Sequence, residues 1–450
     1  MKGDLTKGTP WVSVCKFTFP MLISVIFQQI YSISDSIIVG KFAADGESAL
    51  DSVGASYSIT MIYMAVAVGF NAGCSVVISQ LFGSRRMRDL KTAAATTLIF
   101  ATALSAVMSV IGLVFSDDML RLLNTPENIM KDSTLYLNMF AIGFVLLFLY
   151  NICNGIFTAL GDSVTPLVFL VTSSVANIIL NIVFVKEMSL DVFGVALASV
   201  LTQSAAGILS FIFVLIKLSK IKTEKYRLFS FKMLGIVSRY AIPSVLQQSF
   251  ISLGNIFIQS LVNSFGSSVI AGYSAAVKLN TFALSSIATL GTGISGFTAQ
   301  NIGAGKLERV SKGMRGAAVM AASVSLVFFL SYFFFSDSMI SLFMSKGDMS
   351  ELALRAGKDF LMILSPFYIL VSVKLLCDGA LRGGGAMGYF LSATFTDLIL
   401  RVAIAYILCA LVPSLEYKAI WMSWPVGWTV SAVMSLAFYM TGAWKRGKTA

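Results

Sequence analysis

Asn154-Gly155-Ile156-Phe157-Thr158-Ala159-Leu160-Gly161 closes one apolar run of this chain, and Asp378-Gly379-Ala380-Leu381-Arg382-Gly383-Gly384-Gly385 closes another about 220 residues later. The same offset relates Phe19-Pro20 to Ile242-Pro243, and Gln80-Leu81-Phe82-Gly83-Ser84-Arg85 to Gln300-Asn301-Ile302-Gly303-Ala304-Gly305. Three matches at one offset mark a duplicated unit. Working outward from them, hydropathy resolves twelve runs near or above the ~20 residues that a helix needs to span hydrocarbon. They lie at 13–40, 52–82, 93–115, 134–157, 164–185, 192–216, 236–262, 269–301, 314–335, 358–380, 387–412 and 418–442. Each repeat holds six, an even number, so the second re-enters the membrane from the side the first did, and the repeats are parallel about an axis along the membrane normal. The expectation is an all-α polytopic membrane protein: twelve transmembrane helices in two parallel-repeat six-helix lobes around a central cavity. The lobes are placed at 1–216 and 236–450, joined by a basic linker at 217–235.

Composition agrees. The 450 residues are 57% hydrophobic and 12% charged, against about 25% charged in a soluble globule. A net charge of +11 raises the possibility of a polyanionic partner, but the basic residues cluster in alternate loops: Arg85 to Lys91, Lys217 to Arg239, Lys306 to Arg315, and the tail at Lys445, Arg446 and Lys448. That is the positive-inside pattern with both termini cytoplasmic, so no nucleic-acid partner is expected. No cleavable leader is read at the start of the chain. The five cysteines show no CxxC spacing and the chain has no histidine. Zinc, a Ser/His triad and imidazole proton relays are therefore not expected, and proton handling falls to carboxylates.

A charge at bilayer depth costs roughly 3 kcal/mol or more and usually faces a cavity or an ion path. Asp35 is such a residue or, near the outer end of its span, a solvated interfacial acid, with Tyr31 four positions and Gln28 seven positions before it on one helical face. Asn177 and Asn181 lie one turn apart in the fifth run and Asn154 ends the fourth. Amides in that setting either join helices or line a cation site. Ser199 falls in a small-residue stretch suited to close helix packing. In the second half, Lys374 and Asp378, and likewise Asp397 and Arg401, stand at i,i+4; each couple reads equally as a self-neutralising ion pair or as part of a functional cavity. Lys278 is the lone basic residue of its span, with no acid within a turn. With Tyr31, these residues form the candidate substrate cavity.

These elements together resemble one family, the multidrug and toxic compound extrusion (MATE) transporters. The resemblance rests on Pro20 followed by Asp35-Ser36-Ile37-Ile38-Val39-Gly40, on Gly161-Asp162-Ser163-Val164-Thr165-Pro166, and on Gln300 through Lys306, in this order and spacing. The pattern is most similar to the DNA-damage-inducible branch. That likeness implies cation-coupled antiport of organic, often cationic and amphipathic compounds, without ATP or another cofactor, and a coupling centre at Asp35, Gln28, Asn154, Asn177 and Ser199. Where the branch has a second carboxylate in the fifth span, this chain has Asn181, which shifts the expected coupling ion from Na+ toward H+ and its handling onto Asp35. Ile251 and Val371 stand where another branch carries acids.

The functional expectation is an inner-membrane antiporter of small organic molecules that works as a monomer in the lipid bilayer, with no obligate protein partner and no catalytic residues. A flippase for a lipid-linked or other anionic amphiphile, gripping its charge with Lys278, Lys374 and Arg401, is the alternative.

Overall fold

The computed structural model describes residues 3–42, 46–123, 125–188, 190–344 and 350–445, with 33–42, 46–53 and 191 described by their backbone alone. Asp35, the main expected coupling residue, lies among these last; its backbone is helical and its side chain is outside the described residues.

The chain is all-helical where described. In order come α1 (Pro10–Phe42), α2 (Gly46–Gly83), α3 (Met87–Leu122), α4 (Glu127–Ala159), α5 (Val164–Asn181), α6 (Asp191–Ser219), α7 (Phe231–Asn263), α8 (Ser267–Gly303), α9 (Leu307–Phe334), the short α10 (Ser336–Ser341), α11 (Glu351–Leu364), α12 (Tyr368–Gly383), α13 (Met387–Leu411) and α14 (Lys418–Met440). Eleven helical spans among the described residues are long and apolar enough to cross a membrane. The α14 helix is 23 residues long, about 35 Å at 1.5 Å per residue. It is less apolar because it carries Trp421, Trp424 and Trp428 beside Ser423, Ser431 and Ser435, all of them buried.

Two interruptions differ from the expectation of plain spans. Pro366 lacks an N–H and cannot continue the helical ladder, so the tenth span breaks at a 3-10 turn, Ser365–Phe367, between α11 and α12. After Asn181, α5 widens into a π-helical turn, Ile182–Glu187, a departure that often accompanies functional sites.

The duplicated motifs turn out to be helix terminators. At the ends of α2, α4, α8 and α12 the chain reverses through the same pair of backbone bonds: Arg85 N to Phe82 O with Arg86 N to Leu81 O, Gly161 to Thr158 with Asp162 to Phe157, Gly305 to Ile302 with Lys306 to Asn301, and Gly385 to Arg382 with Ala386 to Leu381. This is the Schellman pattern, which needs a left-handed residue. Three of the four turns place glycine there, at φ 75°, 72° and 80°, and the fourth places Arg85 at 62°, where a side chain costs on the order of 1 kcal/mol. The Arg85 guanidinium forms an ion pair with Asp4.

Asp162, next to Gly161, caps the start of α5. Its carboxylate accepts from Thr165 N at 3.1 Å and Thr165 Oγ1 at 2.7 Å, and forms an ion pair with Lys217. Partial burial alone would raise its pKa, but the Lys217 ammonium and the two Thr165 donors outweigh that and hold it below the usual carboxylate range. The sign follows: the stabilisation is complete above the ordinary aspartate value near ~4 and is lost as pH falls below it, through the lower folded value. Melting curves of wild type and Asp162→Asn are therefore expected to differ by a constant amount at neutral pH and to converge as pH drops below about 4.

The chain divides into two compact units, one formed by Met1–Asp4 with Ile23–Val245, the other by Leu5–Leu22 with Leu246–Thr449. The divisions fall inside α1 and α7, two residues after Pro20 and Pro243, and not at the basic linker 217–235. In the first unit the start of α7 lies against α2. Gly69 and Gly73 leave no room for a Cβ beside the backbone of Val245 and Ala241, and Tyr240 Oη donates to Gln80 Oε1 at 3.4 Å. In the second unit, Gln300 Oε1 accepts from Leu5 N at 3.0 Å and Asn301 Nδ2 donates to Leu5 O. There Arg309 donates to Gly8 O and Lys7 O at 2.7 and 2.9 Å, and Gly293 and Gly316 sit against Thr18 and Trp11. Small residues allow this approach where apolar burial gives no driving force within lipid. Gln80 and Gln300, singled out by the repeat, thus bond respectively to Tyr240 in α7 and to Leu5 just before α1. The second unit also contains the main aromatic core, in which Tyr273 stacks on Trp421 at 5.0 Å and Phe360 meets Trp421 edge-on.

Candidate functional site

In the first unit a polar cluster lies where α5, α6 and α1 meet. Asn177 and Asn181 are both almost fully buried, because α5 turns them inward at i,i+4 just ahead of the π-helical turn. Asn181 Nδ2 donates to Asn177 Oδ1 at 2.7 Å; Asn177 Nδ2 in turn donates to Ser199 Oγ at 3.4 Å and Thr202 Oγ1 at 3.3 Å. Tyr31 Oη lies 3.5 Å from Ser199 Oγ, joining α1 to the cluster one helical turn before Asp35. The chain of bonds runs from one amide to the next and ends on hydroxyls, groups that donate or accept as their surroundings demand.

Of the six candidates that the sequence reading gathers around Asp35, four, Tyr31, Asn177, Asn181 and Ser199, share one hydrogen-bond network. Gln28 is exposed and makes no bond in it among the described residues. Asn154 is not bonded into the network either, and its Oδ1 is buried without a hydrogen-bond partner among the described residues. Two residues were not foreseen. Thr202 stands three positions after Ser199 on the same face of α6, and Asn71 of α2 packs against Gly155 with its own Oδ1 buried and without a hydrogen-bond partner among the described residues. Thr202 carried the signal used elsewhere, a hydroxyl at helical spacing from a known member, whereas Asn71 carried only that of a lone amide in an apolar run.

The charged candidates of the second half separate. Lys374 Nζ and Asp378 Oδ2 pair at 2.8 Å with both side chains about 95% buried, and Ser435 Oγ donates to Asp378 Oδ1 at 2.6 Å. The reading of this couple as an internal ion pair matches what the side chains do. Asp397 and Arg401 are also buried, yet form no ion pair with each other among the described residues. Arg401 lies 4.3 Å over the Trp424 ring instead, leaving its Nε and Asp397 Oδ1 without hydrogen-bond partners. Lys374 lies within electrostatic reach of each of the other three charges. Such a tetrad, nearly neutral in sum, is the least costly way to hold charge in an apolar interior. Lys278 is elsewhere, exposed on α8. Among the described residues there is no cluster of three or more metal-binding side chains.

Known proteins of the same build can be set beside this geometry. The family model described as MatE matches residues 20–183 and again 243–407, each match starting at one of the two prolines that open the repeats. The chain is 28% identical to the probable multidrug resistance protein YpnP of Bacillus subtilis (strain 168), over 99% of this chain and 98% of that protein. It is 26% identical to the probable multidrug resistance protein YoeA of the same organism, over 98% and 96%. A solved structure of a MOP superfamily transporter from Pyrococcus furiosus superposes with a TM-score of 0.92 at 22% identity, covering 98% of both chains, which establishes the fold. Since both repeats match the family model separately and together span most of its length, the chain belongs to the MatE family, the multidrug and toxic compound extrusion transporters, and is a membrane transporter and not an enzyme.

Proposed function

We propose that this transporter is a cation-coupled antiporter of the cell membrane, with both termini cytoplasmic, that exports organic compounds of cationic or amphipathic character, with H+ favoured over Na+ and Asp35 as the main coupling carboxylate. The observation that carries the reading is the partly buried network Tyr31–Ser199–Asn177–Asn181. It ties α1 to α5 and α6 at Tyr31, one helical turn before the coupling position 35 in the sequence. Asn177 Oδ1 is already engaged by Asn181, which supports a proton over a sodium ion that would need several oxygens turned toward it. Differential affinity of two conformations for the proton then couples the two fluxes, by alternating access. The placement of Lys374 and Arg401 in the buried tetrad, apart from the exposed Lys278, favours antiport over the flippase alternative that needs the three cations together.

The test is efflux of a fluorescent organic cation from proteoliposomes under an imposed pH gradient or an imposed sodium gradient. Wild type is expected to respond to the pH gradient. Asp35→Asn is expected to lose about tenfold or more of the gradient-driven rate, the scale of a coupling free energy of about 1–3 kcal/mol. Response of folded wild-type protein to neither gradient would refute the proposal.

A further inference from the structure

The exposed residues of α8 distinguish it from its neighbours. Helices that face lipid expose apolar side chains, as α9 does with Val319, Val327 and Phe334. Along α8 every residue classed as exposed is polar: Ser267, Ser274, Lys278, Thr281 and Thr292, with Ser285 and Thr289 half-buried between them. From Ser274 to Thr292 the spacing is three or four residues at each step, one continuous face of the helix. A lysine turned to lipid costs roughly 3 kcal/mol or more, and hydroxyls continue its face over five turns, so the face suits water and not lipid. Lys278, 12 positions into the 37-residue helix, has no ion-pair partner among the described residues. At the other end of the stripe the Arg382 guanidinium donates to Thr292 Oγ1 and Ser295 Oγ at 3.4 and 3.3 Å. Thr289 and Thr292 spend their O–H groups on carbonyls one turn back; Thr289 so presents an oxygen acceptor outward, while the Thr292 oxygen shares its remaining acceptor capacity with Arg382.

From this arrangement we infer that the exposed α8 face is a substrate track whose Lys278 binds an acidic group, so that the chain transports organic acids bearing hydroxyl or amine donors in addition to the cations of the transport reading, on which this inference rests. The unpaired ammonium supplies the complement to a carboxylate, sulfonate or phosphate. The threonine oxygens take the donors of the same molecule about four turns further along. Lys278 is exposed, so its substitution reports on transport.

The experiment uses proteoliposomes of wild type, Lys278→Gln and Lys278→Arg with two dansyl compounds of equal length, one ending in a hydroxylated carboxylate and the other in a trimethylammonium group. Lys278→Gln is expected to lower transport of the carboxylate compound about tenfold relative to the ammonium compound, the equivalent of one charge-assisted contact, and Lys278→Arg to restore the ratio. An unchanged ratio, or wild-type transport of the ammonium compound alone, would overturn the inference and leave the transport reading in place. Failure of wild type to move either compound would overturn both.

Discussion

Asp378→Ala is expected to destabilise the protein by about 3–5 kcal/mol, the usual consequence of stranding one partner of a buried ion pair. Among the described residues Lys374 would keep its charge with no group at hydrogen-bonding distance, since it donates to Asp378 Oδ2 at 2.8 Å, and Ser435 would lose the acceptor that now lies at 2.6 Å. The double substitution Lys374→Met with Asp378→Leu is expected to recover most of this loss, because replacing both charges by apolar groups of similar volume removes the desolvation cost together with the attraction. Thermal melting of the purified proteins in detergent checks both. If the single and double variants melt alike, the pair is not the closed unit described here, and Asp378 answers to some other partner.

Gly73→Val is the second substitution with a large expected effect, about 3 kcal/mol or more, at the upper end for overpacking. A Cβ at Gly73 would fall on the backbone of Tyr240 and Ala241, and backbone cannot rotate aside as a side chain can. The first turns of α7 would be forced off α2, with loss of the Tyr240–Gln80 bond. Gly235→Ala, on the same α7 but open to solvent with nothing near its Cβ position, is the matched comparison and is expected to stabilise by roughly 0.5–1 kcal/mol through the helix backbone alone. Yield of monodisperse protein on size exclusion, together with melting temperature, separates the two; equal behaviour would mean that α2 and α7 do not touch at Gly73.

Much of the fold was legible because membrane spans are written in runs of apolar residues and because the duplication repeats its punctuation. The Gln80 and Gln300 motifs could be aligned from sequence, and their work as terminators follows from the left-handed residue each turn needs, Arg85 being the one position where composition gave no hint. The break at Pro366 carried its own signal in the proline. The π-helical turn after Asn181 did not, since Ile182, Val183, Phe184 and Val185 read as an ordinary continuation of α5. Hydropathy is also blind to the point at which a helix changes the unit it packs in, because both ends of α1 and α7 are equally apolar. Among the site residues, the amides at 177 and 181 were legible by spacing, whereas Gln28 shares their chemistry but points outward. Arg401 shows the limit of spacing arguments: it stands one turn from Asp397, yet Trp424 offers a ring face that competes for the guanidinium.

The central claim is that substrate and proton move in opposite directions through one binding cycle. Coupling is reciprocal, so an imposed substrate gradient should itself drive protons. The direct measurement loads proteoliposomes with a pH-sensitive dye at equal pH on both sides and adds a transported organic cation outside. Wild type is predicted to alkalinise the lumen as the cation enters and protons leave, and Asp35→Asn to give no pH change. Entry of the cation by wild type without any change in luminal pH would contradict the account.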